Sequence, residues 1–305
     1  MSVNSAVTVK VPATTANIGS GFDCLGAALT LHNQFRFSVS SGESLRIVAT
    51  GAEADRVSTD ASNLVYQSFI KLYDHLGKTP PSVQIEIAMD VPLARGLGSS
   101  ATAIVAGLVG ANYLAGSPLS QEEILQLAIA LEGHPDNVVP ALMGGCRLAA
   151  SGIDRNWEIC DVPWDQSVVP IVAIPNFELS TAEARRVLPT HYTRADAIFN
   201  ASHLGLLLRG LQTGRSDWLR SALQDRIHQP YRQALIQGYE SVQLATLTAG
   251  AYGMVISGAG PTLLALTDLA SAEAVKAAMS LAWAEQGVDV RVELLKLDMQ
   301  GAIVD

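Results

Sequence analysis

The stretch VPLARGLGSSATAIVAG at residues 91–107 sets two glycines and two serines between an extended segment and a run of small, helix-compatible residues. Val83, Ile85, Ile87 and Met89 alternate with their neighbours as a half-buried strand requires, and the strand ends at Asp90-Val91-Pro92. A helix follows from about Ser99 to Leu114. The glycines therefore sit at a strand-to-helix junction. The first turn of a helix has four N–H groups without intrahelical partners, and the aligned peptide dipoles add partial positive charge there. Gly96 and Gly98 let the backbone curl and approach a ligand with no Cβ in the way, and Ser99 and Ser100 add hydroxyls. Such a junction is an anion cradle suited to phosphate. Taken alone it reads first as a helix N-cap after a tight turn. No Gly-Lys-Ser/Thr follows and the GxGxxG spacing is missing, so it is neither a Walker A loop nor a dinucleotide-binding turn.

Two further stretches shift that balance. VPATTANIGSGFDCLGAAL at residues 11–29 and YGMVISGAGPTLLAL at residues 252–266 each place a glycine-rich turn beside a strand. Three such turns in one chain suggest backbone converging on a ligand. The charge balance of 20 Lys and Arg against 29 Asp and Glu, net −9, argues against a nucleic-acid or anionic-membrane binder but leaves a small anion open. Cys24, Cys146 and Cys160 are scattered, which makes a disulfide framework or zinc site improbable. The N-terminus lacks a basic segment followed by an apolar one, and no apolar run is long enough to span a membrane. A cytoplasmic setting is the simplest expectation.

The 305 residues favour two ordinary domains. Phe35, Phe37 and Val39, then residues 45–49, read as strands, and residues 60–76 read as a helix ending at Gly77. Ser120 to Glu123 has the capping-box pattern, opening a helix that runs to Glu132-Gly133. EGHPDNVVPALMGG breaks the helical pattern and returns to strand near Cys146. Residues 152–166 are polar and contain proline, a reasonable boundary, giving expected units of 1–160 and 161–305. Beyond it we expect a strand at 168–174, helices at 181–188, 194–212, 216–226 and 231–249, strands at 252–257 and 262–267, a helix at 270–286 and a strand at 289–297.

PLARGLGSSATA resembles the central phosphate-binding motif of the GHMP kinases, and PATTANIGSGFDCLG resembles the first motif as it occurs in the homoserine kinases among them. ISGAGPT is similar to the third motif, and HPDNVVPALMGG to a stretch typical of the same branch. The resemblance implies an α+β, two-domain fold. Its N-terminal domain would resemble a ribosomal-protein domain with a left-handed βαβ crossover, and its C-terminal domain would be ferredoxin-like, with the site between them. It implies ATP as donor and L-homoserine as acceptor, on the route to threonine.

The same resemblance places ATP on Asn63 and on Pro92, Leu93, Ala94, Arg95, Gly96, Leu97, Gly98, Ser99, Ser100, Ala101 and Thr102. The backbone from Gly96 to Ala101 would hold the phosphates. Mg²⁺ would be held by a hydroxyl of the Ser99/Ser100 pair and by Glu132. Arg185 and Arg232 would fork the acceptor carboxylate, with Asn17, Asp23, Asn137, Gly258 and Gly260 around the rest of the acceptor. Asp23, Asp136 and Asn137 are the catalytic candidates; Asp23 and Asp136 compete for the part of general base, and transfer without a dedicated base stays open. His134 is expected to hold its turn. Two alternatives remain: another small-alcohol kinase of the superfamily, mevalonate-type, or a member that binds ligand without catalysis. A second copy of the chain is a candidate partner.

Overall fold

The computed structural model describes residues 5–152 and 156–305. The strands are β1 (Ala6–Ala16), β2 (Leu25–Val39), β3 (Leu45–Gly51), β4 (Val83–Met89), β5 (Cys146–Ser151), β6 (Trp157–Asp161), β7 (Val169–Pro175), β8 (Gly253–Ile256), β9 (Leu263–Thr267), β10 (Val290–Leu294) and β11 (Ile303–Val304). The helices are α1 (Leu64–His75), α2 (Ser99–Leu114), α3 (Gln121–Glu132), α4 (Pro135–Met143), α5 (Thr181–Arg186), α6 (Arg194–Thr213), α7 (Ser216–Ala222), α8 (Gln229–Arg232), α9 (Tyr239–Thr248) and α10 (Ala272–Glu285).

Two sheets organise these elements. The first has the order β11-β1-β2-β4-β3, with β5 paired to β2 and β6 to β5. Its one parallel pair, β3 with β4, is bridged by α1. The second sheet has the order β10-β7-β9-β8 and is antiparallel throughout. Alternation decides which face is buried: Phe35, Phe37, Ile85 and Ile87 point into a core with Phe69 of α1 and Ile104 of α2. A second core joins the sheets, since Leu25 and Leu29 of β2 pack in one cluster with Val172 of β7 and Leu264 of β9. A third lies between the second sheet and α9 and α10, around the buried Trp283.

Several expectations change. The HPDNVVPALMGG stretch is a helix, not a break. Pro135 occupies the first helical position, where its missing N–H costs nothing, and Asp136 favours the positive end. Helix α4 presses on β2 so closely that a Cβ on Gly26 would fall 1.7 Å from the Asp136 carbonyl oxygen. α1 starts at Leu64 instead of residue 60, because the Asn63 side chain accepts from the amides of Val65 and Tyr66. The expected helix at 231–249 is divided: α8 and a short 3₁₀ turn precede Gly238, whose φ of +75° ends one helical run before α9 begins the next. α7 stops at Ala222, and the Asp225 carboxylate instead accepts from the amides of Ile227, His228 and Gln229.

The second sheet is built within residues 169–294, and the chain beyond it returns to the first sheet. Leu297 bridges Leu29, β11 pairs with β1, and His32 Nε2 lies 2.7 Å from Asp298 Oδ2. Among the described residues no helix is long and apolar enough to cross a membrane.

Candidate active site

The turn at residues 92–98 is gripped from two other parts of the chain. The Thr14 amide of β1 donates to the Leu97 carbonyl (3.0 Å) and the Thr262 amide to the Arg95 carbonyl (3.2 Å). Ser257 Oγ lies 2.7 Å from the Gly96 carbonyl and 2.9 Å from Thr15 Oγ1, while the Gly258 amide donates to Ala16 (2.9 Å). The three glycine-rich stretches thus meet. This gives the glycines a reason the sequence did not suggest. A Cβ on Gly96 (φ +76°) would sit 2.3 Å from the Ser257 carbonyl, and one on Gly98 (φ +67°) would sit 2.0 Å from Thr14 Oγ1. They make room for the neighbouring loops as well as for a ligand.

Helix α2 begins without a side-chain cap: Gly98 is its left-handed N-cap. The contrast with α3 and α5 is direct, since each of those carries a full capping box, Ser120 with Glu123 and Ser180 with Glu183. The first turn of α2 thus has no side-chain acceptor at its N-cap. It opens on a cavity of about 520 Å³ whose wall includes Gly96, Gly98, Ser99 and Ser100. Arg185 and Arg232 line the same cavity, and so do Phe35, Val65, Ile87 and Met89 with Asn63. It thus offers an apolar recess, an amide cradle and a cationic corner.

At the mouth of α2, Ser100 Oγ donates to Glu132 Oε2 (2.9 Å). Burial pushes the Glu132 carboxyl up, against the effect of that hydrogen bond. A carboxylate taken partly out of water, beside a hydroxyl and at a phosphate cradle, suits a hard cation with oxygen ligands. Among the described residues no cluster of three or more His, Cys, Asp or Glu could hold a metal unaided. Ser100 Oγ and the Glu132 carboxylate are oxygen donors, the type that a hard cation takes. His134 Nδ1 lies 2.6 Å from Asp136 Oδ1. Burial draws the His134 pKa down, but the Asp136 hydrogen bond and the charges of Asp136 and Glu132 outweigh it, so the net shift is upward.

The cationic corner is built by contacts across the chain. Arg185 forks Asp23, Nη1 to Oδ2 at 3.0 Å and Nη2 to Oδ1 at 2.8 Å. Arg232 is almost wholly buried; its Nε donates to the Ala184 carbonyl and its Nη1 to the Gly258 carbonyl, both at 3.1 Å. Among the described residues no hydrogen bond uses Arg232 Nη2 or Arg185 Nε, so each guanidinium keeps a donor for a ligand. Asn17 and Asp23 both take positive φ, 60° and 55°. Asn17 fixes this turn by donating to the Gly258 carbonyl (2.9 Å) and accepting from the Asp23 amide (2.8 Å).

The other expected residues divide. Asn17, Asp23, Asn137, Asn63, Leu93, Ala94, Gly258 and Thr102 line the cavity with the residues named above. The amides of Asn17, Asn63 and Asn137 are engaged in holding the wall together, Asn137 by accepting from Thr14 Oγ1 (2.8 Å). Asp136 does not reach the cavity: it is buried behind His134 and Asn137, and its Oδ2 has no partner. Leu97 and Ala101 point into the core, and Pro92 and Gly260 stand outside the wall. Arg95 touches the cavity, but its guanidinium serves the fold. It donates to the carbonyls of Pro175, Leu93 and Asn176 and pairs with Glu178 (3.2 Å), bolting the phosphate turn to the segment that leads to α5. Sequence reasoning missed Asn33, which accepts from the amides of Asp90 and Val91 and donates to Thr102 Oγ1, and Phe22, which lies beside both site arginines. Phe22 stands inside the first motif, next to Asp23; Asn33 carried no local signal.

Comparison with known proteins agrees with this geometry. The family model described as GHMP kinases N terminal domain matches residues 63–145, and that described as GHMP kinases C terminal matches residues 207–285. The chain is 68% identical over 302 residues to the homoserine kinase of Trichormus variabilis, covering 99% of this chain and 100% of that protein. It is 62% identical over 304 residues to that of Trichodesmium erythraeum, covering 99% of each. Among solved structures, the homoserine kinase of Cytophaga hutchinsonii superimposes with a TM-score of 0.90 at 30% identity, covering 100% of this chain and 99% of that one. The mevalonate kinase of L. major gives 0.72 at 16% identity over 95% of each, a likeness of fold alone. A match of that identity over the whole length, carried on a fold in which the three glycine-rich motifs meet at one cavity, leaves one assignment: the chain belongs to the homoserine kinase family of the GHMP kinases.

Proposed function

We propose that the chain transfers the γ-phosphoryl group of ATP to the side-chain hydroxyl of L-homoserine, giving O-phospho-L-homoserine for threonine biosynthesis. One observation carries this reading: an uncapped helix N-terminus and two guanidiniums with free donors face the same cavity of about 520 Å³. The amides from Gly96 to Ala101 would cradle the phosphates, and the apolar recess beside Asn63 would take the base. Arg232 and Arg185 would fix the acceptor carboxylate, with Asp23 facing the acceptor amine and hydroxyl.

Ser100 and Glu132 would hold Mg²⁺, which when bound neutralises charge on the phosphates. Phosphoryl transfer of this kind depends mostly on alignment and charge neutralisation, and its loose transition state makes little demand on early proton removal. Asp23 is the carboxylate in the acceptor wall, so any proton taken from the hydroxyl would go there and not to the enclosed Asp136.

The test is ADP release measured with a panel of alcohols that includes homoserine, mevalonate and sugar alcohols. ADP formed with homoserine alone supports the proposal. Preference for another alcohol, or binding of Mg·ATP without turnover on any, overturns it.

A further inference from the structure

We infer that Phe22 is a positioning residue for acceptor binding, its ring the common seat of the two guanidiniums that hold the acceptor carboxylate. The inference rests on the phosphotransfer reading above. Arg232 Cζ lies 5.1 Å from the centre of the Phe22 ring and Arg185 Cζ lies 5.8 Å from it. Both are within the range at which a cation is attracted to the π face.

The ring is itself held in place. His228 stacks on it at 5.2 Å with an interplanar angle of 21°. His228 is wholly buried, and its Nε2 donates to the Gly19 carbonyl (2.9 Å). Its backbone amide donates to Asp225 Oδ2 (2.8 Å), the same oxygen that accepts from the Gln229 amide at the start of α8. The imidazole and Arg232 thus both lie against the ring, and the imidazole ties it to the 17–23 loop and to the helix that carries Arg232.

Arg185 arrives from a different element, α5. Arg232 Nε binds the carbonyl of Ala184, the residue just before Arg185, so the two guanidiniums are brought close although like charges repel. Asp23 offsets part of that repulsion by forking Arg185. That fork, however, uses two of the Arg185 nitrogens as donors. The Phe22 ring attracts both cations through its quadrupole without using any N–H, so it can hold them together while donors stay open. A leucine would fill much of the space but offer no such attraction.

The full chain is compared with Phe22→Leu and Phe22→Tyr by steady-state kinetics and thermal unfolding. Phe22→Leu is expected to raise KM for homoserine about tenfold, with kcat and KM for ATP within about twofold. Phe22→Tyr, which keeps the π face, should stay within about twofold of the parent in all three. An unmoved homoserine KM in Phe22→Leu, a joint change of kcat and both KM values, or a tyrosine variant as impaired as the leucine one overturns the inference. If Phe22→Leu does not fold, Phe22→Met is read by the same criteria. A parent chain inert towards homoserine would bring down the functional reading and this inference together; an active parent with the wrong pattern in the variants brings down this inference alone.

Discussion

Gly98→Ala tests whether the phosphate turn is shaped by its neighbours. Two costs can be read from the structure. An L-residue at φ +67° carries about 1–2 kcal/mol of left-handed strain. The new Cβ would also fall 2.0 Å from Thr14 Oγ1, a distance no real contact reaches, so Thr14 must rotate. Rotation breaks the buried 2.8 Å donation to Asn137 Oδ1, and an acceptor left without its partner costs about 1–3 kcal/mol. Together these give about 3 kcal/mol, a large share of the 5–15 kcal/mol typical of a folded domain. Thr14→Ala removes the obstructing oxygen beforehand and should itself cost about 1–2 kcal/mol, through the same unpartnered Asn137. In that background Gly98→Ala is left with its strain, about 1–2 kcal/mol. The two substitutions should therefore be non-additive by about 1.5 kcal/mol, well beyond the ~0.5 kcal/mol scatter of independent sites. Urea unfolding of the four proteins measures this, with the denaturant slopes checked for constancy. Additivity within that scatter would show that the Thr14 contact does not constrain the turn, and Gly98 would owe its place to the ligand side alone.

Other outcomes follow from the same geometry. Glu132→Gln should lower kcat about 100-fold and raise the Mg²⁺ needed for half-activity, while thermal stability holds or rises, because an ion that burial disfavours is removed; unchanged Mg²⁺ dependence would take Glu132 out of the metal site. Asp23→Asn should lower phosphoryl transfer by about 10²-fold or more, yet cost less than about 1 kcal/mol of stability, since its ion pair with Arg185 is roughly one-third exposed on both sides. A variant with unchanged kcat and KM would remove Asp23 from the site. Burial lowers the His228 pKa, outweighing the opposing charge of Asp225, so the folded chain resists a proton that the unfolded chain binds below about pH 6.5. Its contribution is complete above that pH and is lost as the pH falls, so its NMR signals should titrate below the ordinary imidazole midpoint; a midpoint at or above about 6.5 would refute the burial argument. A hydroxy acid of the same length as homoserine but without the amine should show at least tenfold lower kcat/KM, and equal rates for the two would deny any recognition of the ammonium.

Where the chain's own local chemistry decides an element, the sequence was enough. β4 and α3 follow from strict alternation and from a capping box, and both are found at the expected residues. The cradle was legible for the same reason, because an uncapped glycine-rich entry to a helix is a local property. Helix α4 was not legible. Its prolines read as breaks, whereas one sits at the first turn and the helix is nine residues long, stabilised by packing on β2 at Gly26. The second reason for Gly96 and Gly98 was equally out of reach, since the obstructing atoms belong to Ser257 and Thr14. The Asp23–Arg185 fork joins residues 162 apart in sequence, and no spacing rule connects them.

That fork also changes what Asp136 is for. Read from motifs alone, Asp136 competes with Asp23 for the acceptor's proton; in the fold it lies behind the wall with one oxygen against His134 and the other enclosed. Its charge still reaches the corner, because it favours the charged forms of both Arg185 and Arg232. The two guanidiniums thus feel several carboxylates: Asp23 forked at the surface of the cavity, Asp136 buried beneath it, and Asp225 near Arg232. A seat that holds charges of both signs suits an acceptor that is itself a zwitterion, and it does so beside a nucleotide tail that would repel an acceptor with surplus negative charge. Asp136 needs no proton-transfer chemistry to matter at this corner: burial keeps its field unscreened by solvent, which lets a carboxylate outside the cavity help set the charge of the molecule that enters it.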